Sequence, residues 1–174
     1  MAPMSTPPLP DVPSPEVIEI ERALTRITYL STRARQHERL MALAGVPLDR
    51  AAVALLRQVA DSEPLRPGEL AARLGVEASH VTRTVQQLQK SGYVTRVPDP
   101  DDRRAQRIEL TDAGRQAIAK VREAGVRGMQ MALSAWSPEE LRQLAGLFHR
   151  MVDDFLAHAV EEEPEPQTAP AGGS

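Results

Sequence analysis

The spacing of apolar residues along the chain predicts a protein made mainly of α-helices. Apolar residues recur three or four positions apart over most of residues 14–155, which is the period of a helix with one buried face. A turn at Gly45 interrupts this pattern, and residues suited to cap a helix, such as Asp49 and Ser137, precede some of the segments. The predicted helices, six in number, cover roughly residues 14–43, 50–59, 67–74, 78–91, 112–132 and 138–155.

One segment departs from the helical period and predicts a small β-hairpin. Tyr93–Val97 has the composition of a strand, and Ile108 and Leu110 alternate with polar residues on a return strand. The turn between them is rich in proline, aspartate and arginine. Two short helices joined at Gly75 come directly before the hairpin. This order predicts a winged helix-turn-helix, a mainly α fold in which the hairpin forms the wing.

The predicted winged helix carries polar groups that suit a DNA duplex. Residues near the start of a recognition helix reach base edges in the major groove, where arginine pairs with guanine and glutamine with adenine. Guanidinium groups on a wing suit phosphates and the narrow minor groove of A/T-rich DNA. The alternative is that these residues form only a solvated polar face. The candidate DNA-binding residues are Ser79, His80, Thr82, Arg83, Gln86, Arg103 and Arg104.

Two acidic residues lie beside the wing arginines. Asp99 and Asp102 would repel DNA phosphates if they were exposed to them. We therefore expect them to support the wing. They would either hold its arginines or brace the base of the hairpin through charge-assisted hydrogen bonds.

Composition narrows the chemistry that the chain can perform. Its 174 residues are enough for one domain with its own core, and aromatic residues make up only 3%. Cysteine is absent, so disulfides, thiolate metal sites and thiol switches cannot form. The sequence shows neither an apolar stretch of membrane-spanning length nor a signal-peptide pattern, and a cytoplasmic location is expected.

The net charge of −3 is unevenly distributed along the chain. Residues 1–20 carry −3 and residues 157–174 carry −4, whereas residues 21–156 carry +4. The proline-rich segment 1–13 and the acidic segment 161–174 are predicted to be disordered tails. The mildly basic remainder is consistent with modest non-specific affinity for DNA.

The ordered motifs around the hairpin resemble those of the MarR family of winged-helix transcriptional regulators. The matching pieces are ELAARLGV, VTR, GYVTR, DPDDRR and LTDAGR. Together with the flanking helices, the resemblance covers roughly residues 16–160. It implies a homodimer that binds a pseudo-palindromic operator in double-stranded DNA, usually as a repressor relieved by a small molecule or an oxidant. It also implies that Arg104 is the arginine inserted into the minor groove.

Three features depart from the family's usual pattern. Glu77 stands where the family usually has a Ser, Thr or Asp cap, and glutamate is a poorer cap. His80 occupies a position that is often small or hydroxylated. Gln106 and Arg107 make the return strand more polar than usual. These departures do not change the expected fold. They bear on which DNA bases the recognition helix would prefer.

The last predicted helix carries a regular apolar stripe that needs a partner helix. The residues alone are equally consistent with packing inside one monomer, whereas the resemblance implies a dimer seam between the first and last helices. It divides the chain into a helical dimerisation region, 14–46 and 112–160, and a DNA-binding lobe, 47–111. The predicted dimer-interface residues are Val17, Ile20, Leu24, Leu144, Phe148, Met151 and Phe155.

Other functional classes have little support in the sequence. The four histidines form no His-x-x-x-His pair, and zinc needs three or four convergent ligands, so neither a metal nor another cofactor is expected. Nucleophile-elbow and phosphate-loop motifs are missing, so an enzyme is not expected. Arg33 and His37, one turn apart on the first predicted helix, could bind a small anionic or phenolic effector, and the alternative is a solvated helix face. The alternative function is an architectural or protein-interaction winged helix without operator specificity.

Overall fold

The computed structural model describes residues 12–62, 64–102 and 104–161. Within these residues it contains seven helices and a two-stranded antiparallel sheet, so the predicted mainly α winged helix-turn-helix with a small hairpin wing is confirmed. The helices are α1 (Pro15–Ser31), α2 (Ala34–Ala44), α3 (Arg50–Ala60), α4 (Pro67–Leu74), α5 (Ala78–Lys90), α6 (Asp112–Ala132) and α7 (Pro138–Glu161). The strands are β1 (Val94–Pro98) and β2 (Gln106–Leu110).

The chain forms two compact units with a boundary after Gly128. The first contains α1 to α5, the sheet and most of α6, and the second contains the end of α6 and all of α7. Apart from residues 12, 13 and 161, the tails that the sequence predicts to be disordered lie outside the described residues.

The prediction of one long first helix is wrong, because the chain leaves the helical conformation between α1 and α2. Arg33 is extended, with φ −67° and ψ 132°. Just before it, the hydroxyls of Ser31 and Thr32 donate to the carbonyls of Thr28 and Tyr29, at 2.8 and 3.0 Å. Such local side-chain bonds compete with continuation of a helix. The apolar spacing runs on across the break, and for that reason the period alone did not predict it.

The core of the first unit forms around α3. This helix buries a broad apolar face and packs against α4, α5 and β2. Helix α5 contributes Val81, Val85 and Leu88, spaced three and four residues apart, and α6 contributes Val121. Burial of this continuous apolar surface fixes the helix-turn-helix and leaves the polar side of α5 exposed.

The sheet has a register that places alternate residues in the core. Val94 pairs with Leu110 and Arg96 pairs with Ile108, and of these four residues only Arg96 is not buried. The amide of Ile108 also donates to the carbonyl of Leu65 at 2.8 Å, which ties the hairpin to the segment before α4. Strand β1 begins and ends one residue later than the sequence predicted.

The residues that cap the helices largely confirm where the sequence predicted helices to start and where α4 ends. Asp49 accepts from the amide of Ala52 at 2.7 Å, and Ser137 and Glu140 form a reciprocal capping box. Gly75 ends α4 in the left-handed conformation, with φ 62°. Thr111 precedes α6 and accepts from the amide of Gly114 at 3.1 Å.

Candidate nucleic-acid interface

The polar candidates on α5 share the exposed side of the helix. Ser79, His80, Thr82, Arg83 and Gln86 are all exposed, whereas the opposite side packs into the core. The hydroxyl of Thr82 donates to the carbonyl of Ala78 at 2.9 Å, so its hydrogen is engaged within the helix. The exposed side therefore offers the donors and acceptors of four other side chains to a duplex.

The start of α5 has no side-chain cap. Glu77 occupies the N-cap position in an extended conformation, and its carboxylate accepts no hydrogen bond from the first turn. The sequence identified Glu77 as a poor cap, and the geometry agrees. The amide of His80 donates to the carbonyl of Glu77 at 2.9 Å, whereas no hydrogen bond from the amides of Ala78 and Ser79 is found among the described residues. Such amides at a helix start favour negatively charged groups.

A compact acidic turn holds the tip of the wing. Asp99 accepts hydrogen bonds from the amides of Asp101 and Asp102, at 2.9 and 3.2 Å. Asp102 in turn accepts from the amide of Arg104 at 2.9 Å. The Arg104 side chain is exposed, and no hydrogen bond or ion pair to its guanidinium is found among the described residues. Arg103, the other predicted wing contact, lies outside the described residues.

The Asp99 carboxylate is the centre of an ion-pair cluster at the base of the wing. Its side chain is buried, with 2% of the residue surface exposed. Its Oδ2 accepts from Nε of Arg66 at 2.6 Å and from Nε of Arg107 at 2.8 Å. The hydrogen bond from Arg66, followed by that from Arg107, holds the pKa of Asp99 well below its usual range. The Asp99 carboxylate thus joins the start of α4 to the return strand of the wing.

The sequence did not predict which side chains would bind the Asp99 carboxylate. Neither Arg66 nor Arg107 was predicted to do so. Arg107 was seen only as a departure from the usual polarity of the return strand, and Arg66 was not singled out. Arg66 lies 33 residues from Asp99 in the chain, so no local pattern relates the two. Their contact depends on how β1 and β2 pack beside the start of α4.

The two candidate ligand-binding residues each have a partner inside the chain. The guanidinium carbon of Arg33 lies 4.8 Å from the centroid of the Tyr29 ring. The Nε2 atom of His37 lies 2.8 Å from the carbonyl oxygen of Leu48. Arg33 is also outside both helices, as the N-cap residue of α2. These contacts favour a structural role for both side chains over a shared anion site.

A cavity of about 310 Å³ opens elsewhere in the first unit, between the end of α3, β2 and the first half of α6. Its lining combines apolar side chains with the polar side chains of Ser62, Glu109, Arg115 and Arg122. Arg122 pairs there with Asp61 at 2.8 Å, and both side chains are largely exposed. The lining includes Val59, Leu110, Arg115, Ile118, Ala119 and Arg122.

The predicted dimer-interface residues are at least partly accessible in the described chain. On α1, Val17 and Ile20 are exposed and Leu24 is half-buried. On α7, Met151 is half-buried and the other three are exposed: Leu144, Phe148 and Phe155. Each helix considered by itself therefore presents apolar surface.

In the part of the chain that the structure describes, no cluster of three or more His, Asp or Glu side chains could hold a metal ion. None of the helices found there combines the length and the hydropathy that a membrane span requires.

The fold and the arrangement of α5 beside the hairpin define a winged helix-turn-helix protein. Comparison with known proteins relates this part of the chain to a family. A family model described as the MarR family matches residues 46–105. Over these residues the chain is similar to the MarR family, and the curated relatives that it matches are named as transcriptional regulators.

Individual relatives show the same similarity. The uncharacterised HTH-type transcriptional regulator YdgJ of Bacillus subtilis is 31% identical over 97 residues, which cover 56% of this chain and 59% of that protein. A transcriptional regulator of Thermotoga maritima has a solved structure that is 28% identical, with a TM-score of 0.62 and coverage of 84% and 99%. A MarR family protein of Bacillus stearothermophilus, at 22% identity, shares the fold with a TM-score of 0.72 over 81% and 96% of the two chains.

The similarity to curated relatives is partial in length. The chain spans about three-fifths of the length of three that it matches, with 58%, 63% and 59% covered.

Proposed function

We propose that this chain is a homodimeric, cytoplasmic repressor that binds a pseudo-palindromic operator and is released by a small organic ligand. The observation that carries the proposal is the exposed polar side of α5 beside an exposed Arg104 at the wing tip. The two elements suit adjacent grooves of one duplex, with α5 in the major groove and the wing in the minor groove. In this proposal Ser79, His80, Arg83 and Gln86 face base edges, and Thr82 contacts phosphate.

Wing support is the proposed role of the acidic residues of the turn. Asp99 orients the hairpin relative to α4 through its bonds to Arg66 and Arg107. Asp102 holds the backbone of Arg104. Preorganising the turn in this way lowers the entropy that is lost when Arg104 enters a groove.

The operator proposal predicts different effects for two arginines. The expected operator is an A/T-bearing inverted repeat whose half-sites lie about 10 bp apart. Arg104→Ala should weaken binding to all such sites by about 1–3 kcal/mol, or roughly 5- to 150-fold in Kd. Arg83→Ala should in addition change the preferred bases, because it removes a direct base contact. Selection of bound sites from random DNA, followed by gel shifts at fixed salt, measures both effects.

The matched control is Arg39→Ala, which removes an exposed arginine from α2 and leaves α5 and the wing intact. Unchanged operator affinity in both test variants would refute this placement of the DNA surface. If the protein is instead an architectural winged helix, competitor DNA should abolish its binding to every sequence equally.

Release by an organic ligand is supported by the absence of cysteine and by the cavity beside β2. Peroxide sensing through sulfenate or disulfide chemistry requires a thiol, which this chain lacks. The apolar side chains of its lining, together with Arg115 and Arg122, suit a small aromatic carboxylate or phenolate that binds on the side away from Glu109. Such a ligand would shift the population towards a state that does not fit the operator, and a differential affinity of ~2–3 kcal/mol is sufficient.

This mechanism predicts that benzoate or a phenol raises the melting temperature and releases operator DNA, whereas peroxide at low equivalents does neither. Ala119→Leu should fill part of the cavity and abolish the ligand response while operator binding is retained. Ala54→Leu, at an exposed position of α3 outside the cavity, is the matched control. Thermal shift and gel shift assays report the two responses. Release by peroxide alone would contradict the mechanism.

A further inference from the structure

The basic side chains of the helix-turn-helix and hairpin fall into two groups. Arg66 and Arg107 are neutralised by Asp99, at 2.6 and 2.8 Å. The remaining cations of this region have no carboxylate within salt-bridge distance among residues 64–102 and 104–111. These remaining cations are Arg73, Arg83, Lys90, Arg96 and Arg104.

Arg96 has the most distinctive position in the second group. It lies on β1 opposite Ile108 and shares a face of the strand with the buried Val94. Its Nε atom donates to Oε1 of Gln89, in the last turn of α5, at 3.4 Å. The residue is half-buried, and the contact of its guanidinium with Gln89 lies at the surface between α5 and the hairpin.

The geometry of a duplex determines what such a position would face. One sugar–phosphate backbone separates a major groove from the adjacent minor groove. A protein that places a helix in the first and a wing in the second must cross this backbone at the junction of the two elements. We infer that Arg96, positioned by Gln89, contacts a phosphate of the strand that runs between the recognition helix and the wing. This inference rests on the proposed placement of α5 and the wing.

A phosphate contact has a signature that differs from that of a base contact or of a structural residue. It neutralises a backbone charge and displaces a condensed counterion, so its loss lowers the salt dependence of binding on every sequence. A base contact changes sequence preference, and a structural residue changes folding stability. The slope of log K against log salt therefore distinguishes the role of Arg96 from the other two.

The test compares Arg96→Gln, Arg96→Lys and the control Arg39→Gln with the unmodified protein. Fluorescence anisotropy would measure binding to a selected site and to a random duplex of equal length at several salt concentrations. Arg96→Gln should reduce the slope by about one per protomer, or about two for the proposed dimer, on both duplexes, and should weaken binding about tenfold or more at low salt. Arg96→Lys should keep the slope because it keeps the charge, and Arg39→Gln should change neither quantity.

A second variant tests the role of the helix side of the contact. Gln89→Ala should weaken binding less than Arg96→Gln and leave the slope unchanged, because the cation remains. An unchanged slope in Arg96→Gln overturns the inference, and so does an equal loss in Arg96→Lys. If the unmodified protein shows no preference for the selected site, the proposed operator specificity fails, while the slope on the random duplex still decides the role of Arg96.

Discussion

Replacing Gly114 by alanine is expected to lower the free energy of unfolding by about 1–3 kcal/mol, although alanine is the better helix former. A Cβ atom at this position would overlap the carbonyl oxygen of Tyr93. That oxygen belongs to the backbone and accepts the amide of Thr111 at 3.1 Å, so it cannot move without breaking a second contact. The start of α6 therefore has to separate from the end of α5 and the beginning of β1.

Gly125→Ala is the matched control on the same helix. A Cβ there meets no atom within 4 Å, and the substitution should stabilise the protein by about 0.5–1 kcal/mol, the usual gain of alanine over glycine in a helix. Urea unfolding would show a lower midpoint for Gly114→Ala and a higher one for Gly125→Ala, with similar slopes. A higher midpoint in both variants would show that the close approach to Tyr93 costs nothing.

Gly114 also illustrates what the sequence could and could not predict. The segment LTDAGR marked the start of a helix and helped to indicate the family, and the helix begins at Asp112 as predicted. The reason for the glycine is a backbone contact with a residue about twenty positions earlier. Local patterns of capping and periodicity contain no information about such an approach.

The same difference between local patterns and contacts of distant residues applies to the wing. Alternation of apolar residues predicted the hairpin, because period-two burial is a property of the strand itself. The partners of Asp99 could not be predicted, because Arg66 precedes a different element and meets the carboxylate only after the hairpin has packed. The break at Arg33 was missed for another reason. The hydroxyl bonds of Ser31 and Thr32 act over one turn, whereas the apolar spacing continues through them.

The apolar face of α7 predicts the largest effect on assembly. Phe148 and Phe155 are seven residues apart on one side of the helix, with 44% and 59% of their surface exposed. Each aromatic side chain buries about 150–250 Å² when it packs fully, and a proposed dimer would cover both. If α7 packed only within its own monomer, two exposed phenylalanines would not be expected.

Replacing both by glutamate should weaken the homodimer by about 4 kcal/mol or more, roughly a thousandfold in Kd, because two interface anchors become charges that must be desolvated. Operator binding should be lost with the dimer, since one helix-turn-helix reaches only one half-site. The control is the double variant Gln143→Glu and Arg150→Glu, which adds negative charge to the opposite side of α7. Sedimentation would give a dimer for the unmodified protein and the control, and a monomer or an unfolded chain for the phenylalanine variant. Circular dichroism separates the last two outcomes. A monodisperse monomer for the unmodified protein at all concentrations would refute the proposed homodimer.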